Sequence, residues 1–448
     1  MVRRFPDALT FLFLCLAVAT ALTWVIPAGE YQRREDPVTH RAVVVANTFP
    51  PVPSSPVPPF AALVAIPRGF TDAAGVIGFV LLVGAGIAVV ARTGALAEGV
   101  DHLIAIVGSR QQLVVPIVGA LFAVGGVTEG MMEEIIPLVP VLLIVARRLG
   151  YRPVIAVAMG FAVATVGGAF SPMNPFQVGI AQRLAGVPVL SGWGLRVTFL
   201  IPAVLLTMWW TVRSGRAQRL DEDGVEEPVA LARLSPRSIG VLLLTGAAVA
   251  AYVIGVLRFG WDFEQMAAVF LLLGIGAGLV GGLGVGGTTA ALADGFRGMV
   301  VAAIMIALAR AIYVVLQDGH IIDAVVHGLF VPVSYLPRVG AAIGMMVAQA
   351  VLHVPVSSTT GQAVLSLPIL VPLSDLLRIH PQVTVLAYQY GAGLCEMLTP
   401  TNGAMMAVLA AAGVAYEDWL RFVAPLWVML MLLGAVAIAV GMFVPAAL

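Results

Sequence analysis

The chain has no lysine: all 24 of its basic residues are arginine. A Walker-type phosphate loop places a lysine on the phosphates, so that route to ATP-driven pumping is closed, and Schiff-base chemistry is closed with it. Cysteine is almost absent. Cys15 and Cys395 are the two present, both in apolar segments and without metal-ligand spacing, so they are expected to pack. Charge is scarce as well, at 11% of 448 residues with a net of zero. Binding phosphates needs a basic excess, so the balance argues against a nucleic-acid partner.

What remains is apolar: 60% of the residues are hydrophobic. A bilayer takes ~20 residues at helical rise, and uncharged runs of that order recur throughout the chain. The first, Ala8 to Pro27, is longer than the apolar region of a signal peptide and has no small-residue cleavage site after it, so it reads as a retained helix. Further full spans are expected at Ala74 to Arg92, Arg152 to Phe170, Leu195 to Val212, Ile239 to Leu257, Gln265 to Leu283, Met299 to Leu316, Gln382 to Leu398 and Phe422 to Val444. Shorter runs near Leu113 and Val339 fit either a span or a hairpin arm. A multi-pass protein of the inner (plasma) membrane is implied. Arg3, Arg4 and five arginines in a central stretch would place the N-terminus and that stretch in the cytoplasm.

That central stretch, Arg213 to Arg237, mixes its arginines with Asp221, Glu222, Asp223, Glu226 and Glu227 and is the natural linker between halves. A second polar stretch, Glu30 to Pro59, ends in a proline-rich run that predicts an extended loop. Across the linker the same marks recur in the same order. Pro6 answers Pro236, and Gly69-Phe70 answers Gly295-Phe296. Gly94, Glu98 and His102 answer Gly319, Asp323 and His327. Gly130 and Pro137 answer Gly361 and Pro368; Pro172 and Asn174 answer Pro400 and Asn402; Gly186-Val187 answers Gly413-Val414. The offset runs from 225 (Gly94 to Gly319) to 231 (Gly130 to Gly361). A preserved order points to duplication. Gln265 to Leu283 has no apolar counterpart in the first half. If each half then crosses an odd number of times, the second is inverted relative to the first. The predicted fold is an all-α polytopic membrane protein of about ten spans plus two re-entrant hairpins, in two inverted repeats. Residues 1–212 form the first repeat, with a hairpin at 127–149 and a broken helix at 152–187; 213–237 is the linker. Residues 238–448 form the second, with a hairpin at 353–377 and a broken helix at 382–415.

Irregular backbone at membrane depth is tolerated where protein or a wet cavity covers it, so proline and glycine clusters inside apolar sequence mark a candidate site. In the first hairpin Glu129, Glu133 and Glu134 interrupt apolar sequence, and a carboxylate there is costly and marks an ion or solute path. The second hairpin offers four consecutive hydroxyls, Ser357, Ser358, Thr359 and Thr360. The two broken helices carry GGAFSPMNPF, from Gly167, and LTPTNG, from Leu398. Prolines there remove backbone donors and leave carbonyls on one side of each gap and amides on the other. Carbonyl ends suit a sodium ion and amide ends a carboxylate, while Asn174 and Asn402 can serve either. The blander reading is a proline-kinked helix with asparagine as local glue, and for the glutamates a solvated interfacial position. Glu396, just before Pro400, has the same two readings. Arg310 is expected to pair with an acid or carbonyl, and His102 and His327 to serve at a surface. GAGLVG at Gly276 matches a dinucleotide fingerprint but lies in an apolar span without a preceding strand, which predicts close helix packing. Trp209 and Trp210 suit the interfacial belt.

Six segments together resemble one family. They are WVIPAGEY from Trp24, LLVGAGIAVVARTGAL from Leu81, EGMMEE from Glu129, NPFQVGIAQ from Asn174, SSTTGQAVLSLPILVPLSDLL from Ser357 and AYQYGAGLCEMLTPTNG from Ala387. The chain is similar in them to the anaerobic four-carbon dicarboxylate carriers and basic amino-acid antiporters of the ion transporter superfamily. The resemblance implies an ion-coupled carrier and a homodimer in which hairpins and broken helices move against a scaffold. Carried over, solute would be bound by Glu133, Glu134, Asn174, Ser358, Thr359, Thr360, Glu396 and Asn402. Sodium, if it is the coupling ion, would sit among Ser171, Asn174, Ser357, Thr401 and Asn402. Ala392 stands where the antiporter branch has Asp, and Glu396 where it has Asn; the two are four residues apart on one helical face.

The expected activity is ion-coupled secondary transport of an amino acid, arginine or ornithine first, with sodium or a proton as coupling ion and no other cofactor. A four-carbon dicarboxylate is the alternative solute, and a cation antiporter or channel the alternative class. An intramembrane enzyme has least support, because His353 is the one candidate base near the hydroxyls at Ser357.

Overall fold

The structure, a computed structural model, describes residues 8–35, 42–45, 48–107, 113–217, 234–259, 261 and 263–443. Arg3, Arg4, Pro6 and the acids of the central linker lie outside them. The first half runs through α1 (Ala8–Val25), α2 (Pro59–Asp72), α3 (Ala74–Arg92), α4 (Ala95–Val107), α5 (Val114–Glu129), α6 (Val139–Arg148), α7 (Pro153–Val157), α8 (Val163–Ala169), α9 (Ile180–Leu184) and α10 (Trp193–Ala217). A π-helical turn, Ala158–Ala162, joins α7 to α8, and another, Pro175–Gly179, leads into α9. The second half continues with α11 (Pro236–Phe259), α12 (Phe263–Val280), α13 (Gly284–Asp318), α14 (Ile322–Phe330), α15 (Arg338–Leu352), α16 (Thr359–Leu376), α17 (Pro381–Cys395), α18 (Gly403–Ala412) and α19 (Tyr416–Phe443). Of these, α3, α10, α12, α13 and α19 are long and apolar enough to cross a membrane. The short runs near Leu113 and Val339 are the helices α5 and α15.

Local chemistry sets most boundaries. Pro59, Pro153 and Pro381 stand at the first turns of α2, α7 and α17, where a missing N–H costs nothing. Ala73 separates α2 from α3, whereas the matching stretch in the second half is one continuous helix of 35 residues, α13. That helix begins fifteen residues before the expected Met299, because the polar GVGGTT run continues the helix instead of ending it. Helix α17 stops at Cys395, short of the expected Leu398, where the second break begins.

The all-α expectation misses one feature. Within the polar stretch before Pro59, β1 (Arg33–Glu35) pairs antiparallel with β2 (Ala42–Val44), Arg33 opposite Val44. Three-residue strands carry too little pattern to show in sequence. The ribbon is fastened to the start of α14: Arg33 bonds both oxygens of buried Asp323, at 2.9 and 3.0 Å, and the Tyr31 amide donates to the same carboxylate at 2.8 Å. His327, expected at a surface, is exposed there, and it also stacks on Phe49 at 4.5 Å and meets the Tyr31 hydroxyl at 3.0 Å. Strand β2 also packs against α16.

The helices pack as two bundles. In one, α3 crosses α12 and α13, α13 lies on α2 and α1, and α11 packs on α12 and α4. Backbones meet at these crossings: a Cβ added to Gly86 would sit 2.2 Å from the Phe270 carbonyl oxygen, and one on Gly274 2.6 Å from the Gly86 Cα. Gly278 in α12 closes on Thr288, and Gly281 just past its end closes on Thr93, so GAGLVG is a packing surface. Arg310 lies 3.5 Å from Asp72 and stacks on Tyr313. The other bundle holds α5 to α10 and α15 to α19, and its contacts are reciprocal. Helix α5 packs on α8 as α15 packs on α17; α10 packs on α8 as α19 packs on α17; α9 lies against α16 and α18 against α6. The bundles meet where α13 packs on α18 and where α3 packs on the turn Glu133–Leu138.

Candidate functional site at the two helix breaks

At the first break, α8 ends at Ala169 and the chain turns through Ser171 and Asn174 before restarting at Pro175. Ser171 is the hinge pin. Its hydroxyl donates to the Val127 carbonyl at 2.6 Å and accepts from the Met173 and Asn174 amides at 3.0 and 2.8 Å. Asn174 caps the restarted helix, its Oδ1 accepting from the Phe176 and Gln177 amides, while its Nδ2 donates to the Gly126 carbonyl at 3.2 Å. Both contacts fall where α5 ends at Gly130, at φ +72°, and a side chain there would also meet Asn174 Nδ2 at 2.7 Å. Glycine is therefore required at this hairpin tip on two grounds.

The second break repeats the device with other residues. Thr401 donates to the Val354 carbonyl at 2.5 Å and lies 3.0 Å from the Thr399 hydroxyl, and the Ser357 hydroxyl donates back to the Thr401 carbonyl at 2.8 Å. Asn402 Oδ1 accepts from the Met405 amide at 3.0 Å, so its Nδ2 faces Glu396 and bonds both its carbonyl and its carboxylate. Each hairpin is thus pinned to its neighbouring break by a hydroxyl on a backbone carbonyl. Each asparagine caps the outgoing helix.

The breaks adjoin each other because α8 packs on α17. Gln389 on α17 donates to the Ser171 carbonyl at 2.7 Å, and Thr360 at the second hairpin tip donates to the Phe176 carbonyl at 3.1 Å. Behind Gln389 stands Arg196, fully buried on α10. It donates to Gln389 Oε1 at 2.9 Å, Gln382 Oε1 at 3.0 Å and the Ser191 carbonyl at 3.0 Å. The acids gather on the other side. Glu133 lies in the turn against α3 and α18, close enough to Glu134 and Glu396 for their charges to interact. Glu134 accepts from the Met132 amide at 2.9 Å, and Glu129 from the Tyr252 hydroxyl at 3.0 Å.

The sequence-derived candidates therefore separate. Glu396 and Asn402 meet at the second break, Glu133 is near enough to interact with Glu396, and Glu134 stands beside Glu133. Asn174 and Ser171 hold the first break, and Thr360 links the second hairpin to it. Ser358 caps α16 through the Gly361 amide at 3.2 Å, and the Thr359 carbonyl accepts from Tyr388 at 2.7 Å. The oxygens of Ser171, Asn174, Ser357, Thr401 and Asn402 already take part in hydrogen bonds, which a sodium ion would share or replace. Sequence reasoning missed Arg196, Gln382 and Gln389. It also weighed His353 against Ser357, whereas the fully buried imidazole faces Glu396, with Nε2 3.4 Å from its Oε2.

The family described as C4-dicarboxylate anaerobic carrier (DcuC) matches residues 5–443. A protein of Escherichia coli K12 named "Putative basic amino acid antiporter YfcC" is 29% identical, over 97% of this chain and 95% of its own. An uncharacterised protein of Haemophilus influenzae is 29% identical, over 98% and 97%. Among solved structures, the YdaH transporter of Alcanivorax borkumensis is 16% identical with a TM-score of 0.43, covering 98% of this chain and 99% of that one. MtrF of Neisseria gonorrhoeae, from a class of antimetabolite efflux pumps, is 16% identical with a TM-score of 0.46, covering 99% and 96%. The chain is a membrane-embedded secondary transporter and belongs to the C4-dicarboxylate anaerobic carrier family.

Proposed function

We propose that this transporter carries amino acids of positive side-chain charge, arginine or ornithine foremost, in exchange for or together with a coupling ion. The observation that carries this reading is the clustering of carboxyls around Glu133, with Glu134 beside it and Glu396 of the second break within reach of its charge. Carboxylates held near one another, one of them the buried Glu396, repel one another, and a cation relieves that repulsion. The name of the Escherichia coli relative points the same way. The amide ends beyond Asn174 and Asn402 would take the solute's carboxylate.

In this reading residues 1–212 and 238–448 are inverted repeats. The bundle holding the hairpins and broken helices slides against the other, as an elevator, in a homodimer of the inner membrane with the N-terminus in the cytoplasm. A four-carbon dicarboxylate is the second solute reading, favoured by the family's description.

The test is counterflow of labelled arginine in proteoliposomes. Exchange of arginine and ornithine is expected, with Glu133→Gln and Asn402→Ala weakening apparent affinity by roughly tenfold or more, the value of a lost charge-assisted hydrogen bond. Competition by succinate with no amino-acid exchange would reverse the choice of solute.

A further inference from the structure

His353 ends α15 and is fully buried, yet its Nε2 makes no hydrogen bond. Its other nitrogen is fixed by a relay. Gln362 Nε2 donates to the Gln349 carbonyl at 2.7 Å, and a backbone carbonyl only accepts, so Gln362 must turn its Oε1 toward His353. Gln349 Nε2 donates to the Ser366 hydroxyl, which donates to the Gln362 carbonyl, each at 2.7 Å, and this locks both amides. His353 Nδ1, 2.8 Å from Gln362 Oε1, therefore carries the hydrogen. Nε2 keeps its lone pair and points toward Glu396 Oε2, 3.4 Å away. The same Oε2 accepts from Asn402 Nδ2, so it lies between an amide donor and the imidazole.

We propose that His353 Nε2 is the site of the coupling proton, and that proton and cationic solute exclude each other across Glu396. Gln362 on α16 holds His353, and three further ionisable groups lie near enough to Glu396 to feel its charge: Tyr388 and Cys395 on α17, and Glu133 in the turn before α6. With the proton on Nε2, imidazolium and carboxylate cancel. Without it, the pair carries one negative charge beside the Glu133 carboxyl, and a monocation restores the balance. Protonation and solute binding are then linked with opposite sign, which makes the carrier an exchanger of protons for cations. The reading of the solute as cationic is assumed from the proposal above.

Purified protein in weakly buffered detergent, titrated with L-arginine against a pH indicator, should release protons on binding, the number per arginine rising toward one as the pH is lowered. The apparent arginine affinity should fall about tenfold per pH unit once His353 is protonated. In proteoliposomes, His353→Gln should lower the ratio of protons to arginine moved toward zero, a ratio independent of how fast the variant works. Arginine binding or exchange without proton movement in the wild type overturns the proton site and leaves the solute reading intact. So does a His353→Gln protein that still couples. Proton uptake on succinate binding overturns the exclusion. Should the wild type move neither solute, the solute reading fails, and nitrogen-15 histidine spectra of wild type against His353→Gln still decide the site. The expected species keeps hydrogen on Nδ1 and gains one on Nε2 as pH falls. A neutral Nε2–H tautomer, or no protonation in the range where histidines titrate, overturns it.

Discussion

Arg196 shows most sharply what a residue can do unseen by its neighbours in sequence. It lies near the start of α10, just inside the span expected from Leu195, where nothing in the sequence singles it out. In the fold it is fully buried and spends its guanidinium fork on three neutral oxygens, two of them on α17. Through Gln389 it steadies the Ser171 carbonyl at the first break. Replacing it with methionine strands those acceptors, and each buried acceptor left without a donor costs roughly 1–3 kcal/mol. Arg196→Met should therefore lower the thermal midpoint of the purified protein substantially. Arg196→Lys should recover little of it, since a single ammonium lacks the planar fork that reaches divergent partners. A methionine variant that melts with the wild type would show that Gln382 and Gln389 re-pair without the guanidinium.

At the scale of elements, the crossing of α3 with α12 depends on the missing side chain of Gly86, whose Cβ would meet the Phe270 carbonyl oxygen at 2.2 Å. Gly86→Ala must push two backbones apart and is expected to destabilise by roughly 1–3 kcal/mol, as overpacking does. Gly78→Ala in the same helix, with nothing within 4 Å, should be neutral or mildly stabilising through helix propensity. Thermal unfolding of the two variants beside the wild type checks the contrast. The sequence showed these elements unevenly, for physical reasons. Proline and asparagine inside apolar runs have few uses at membrane depth, so the breaks at Asn174 and Asn402 stand out. The run before Met299 misled because glycine and threonine resemble a loop, yet they continue α13. Gln382, Gln389 and Gln362 stayed invisible, since a glutamine in a helix declares nothing until its partner is known. The contrast drawn from sequence between an acidic and a hydroxyl half is only part of the arrangement. Ser171 and Thr401 do the same work on Val127 and Val354, and the difference lies in Glu396 and His353.

For the whole molecule, the bundles touch through α13 on α18 and α3 on the Glu133 turn, both beside the candidate site. A sliding motion has to break these contacts, whereas those inside one bundle persist. A Cβ on Gly403 would lie 3.3 Å from the Ala309 Cβ across that boundary. Disulfides span Cβ separations of roughly 3.5–4.5 Å, so Gly403→Cys with Ala309→Cys can close after a slight adjustment. The background is the chain with Cys15→Ser and Cys395→Ala. Oxidation should stop solute exchange in proteoliposomes, and a reductant should restore it. Gly295→Cys with Ala88→Cys, where the Cβ atoms would lie 2.8 Å apart inside one bundle, is the control, and its oxidation should leave exchange running. Because each rate is compared with that of the same protein before oxidation, a loss caused by the substitutions themselves does not enter. If the first pair cross-links fully and exchange continues, the two bundles move together, and the solute must cross by a rearrangement confined to the hairpins.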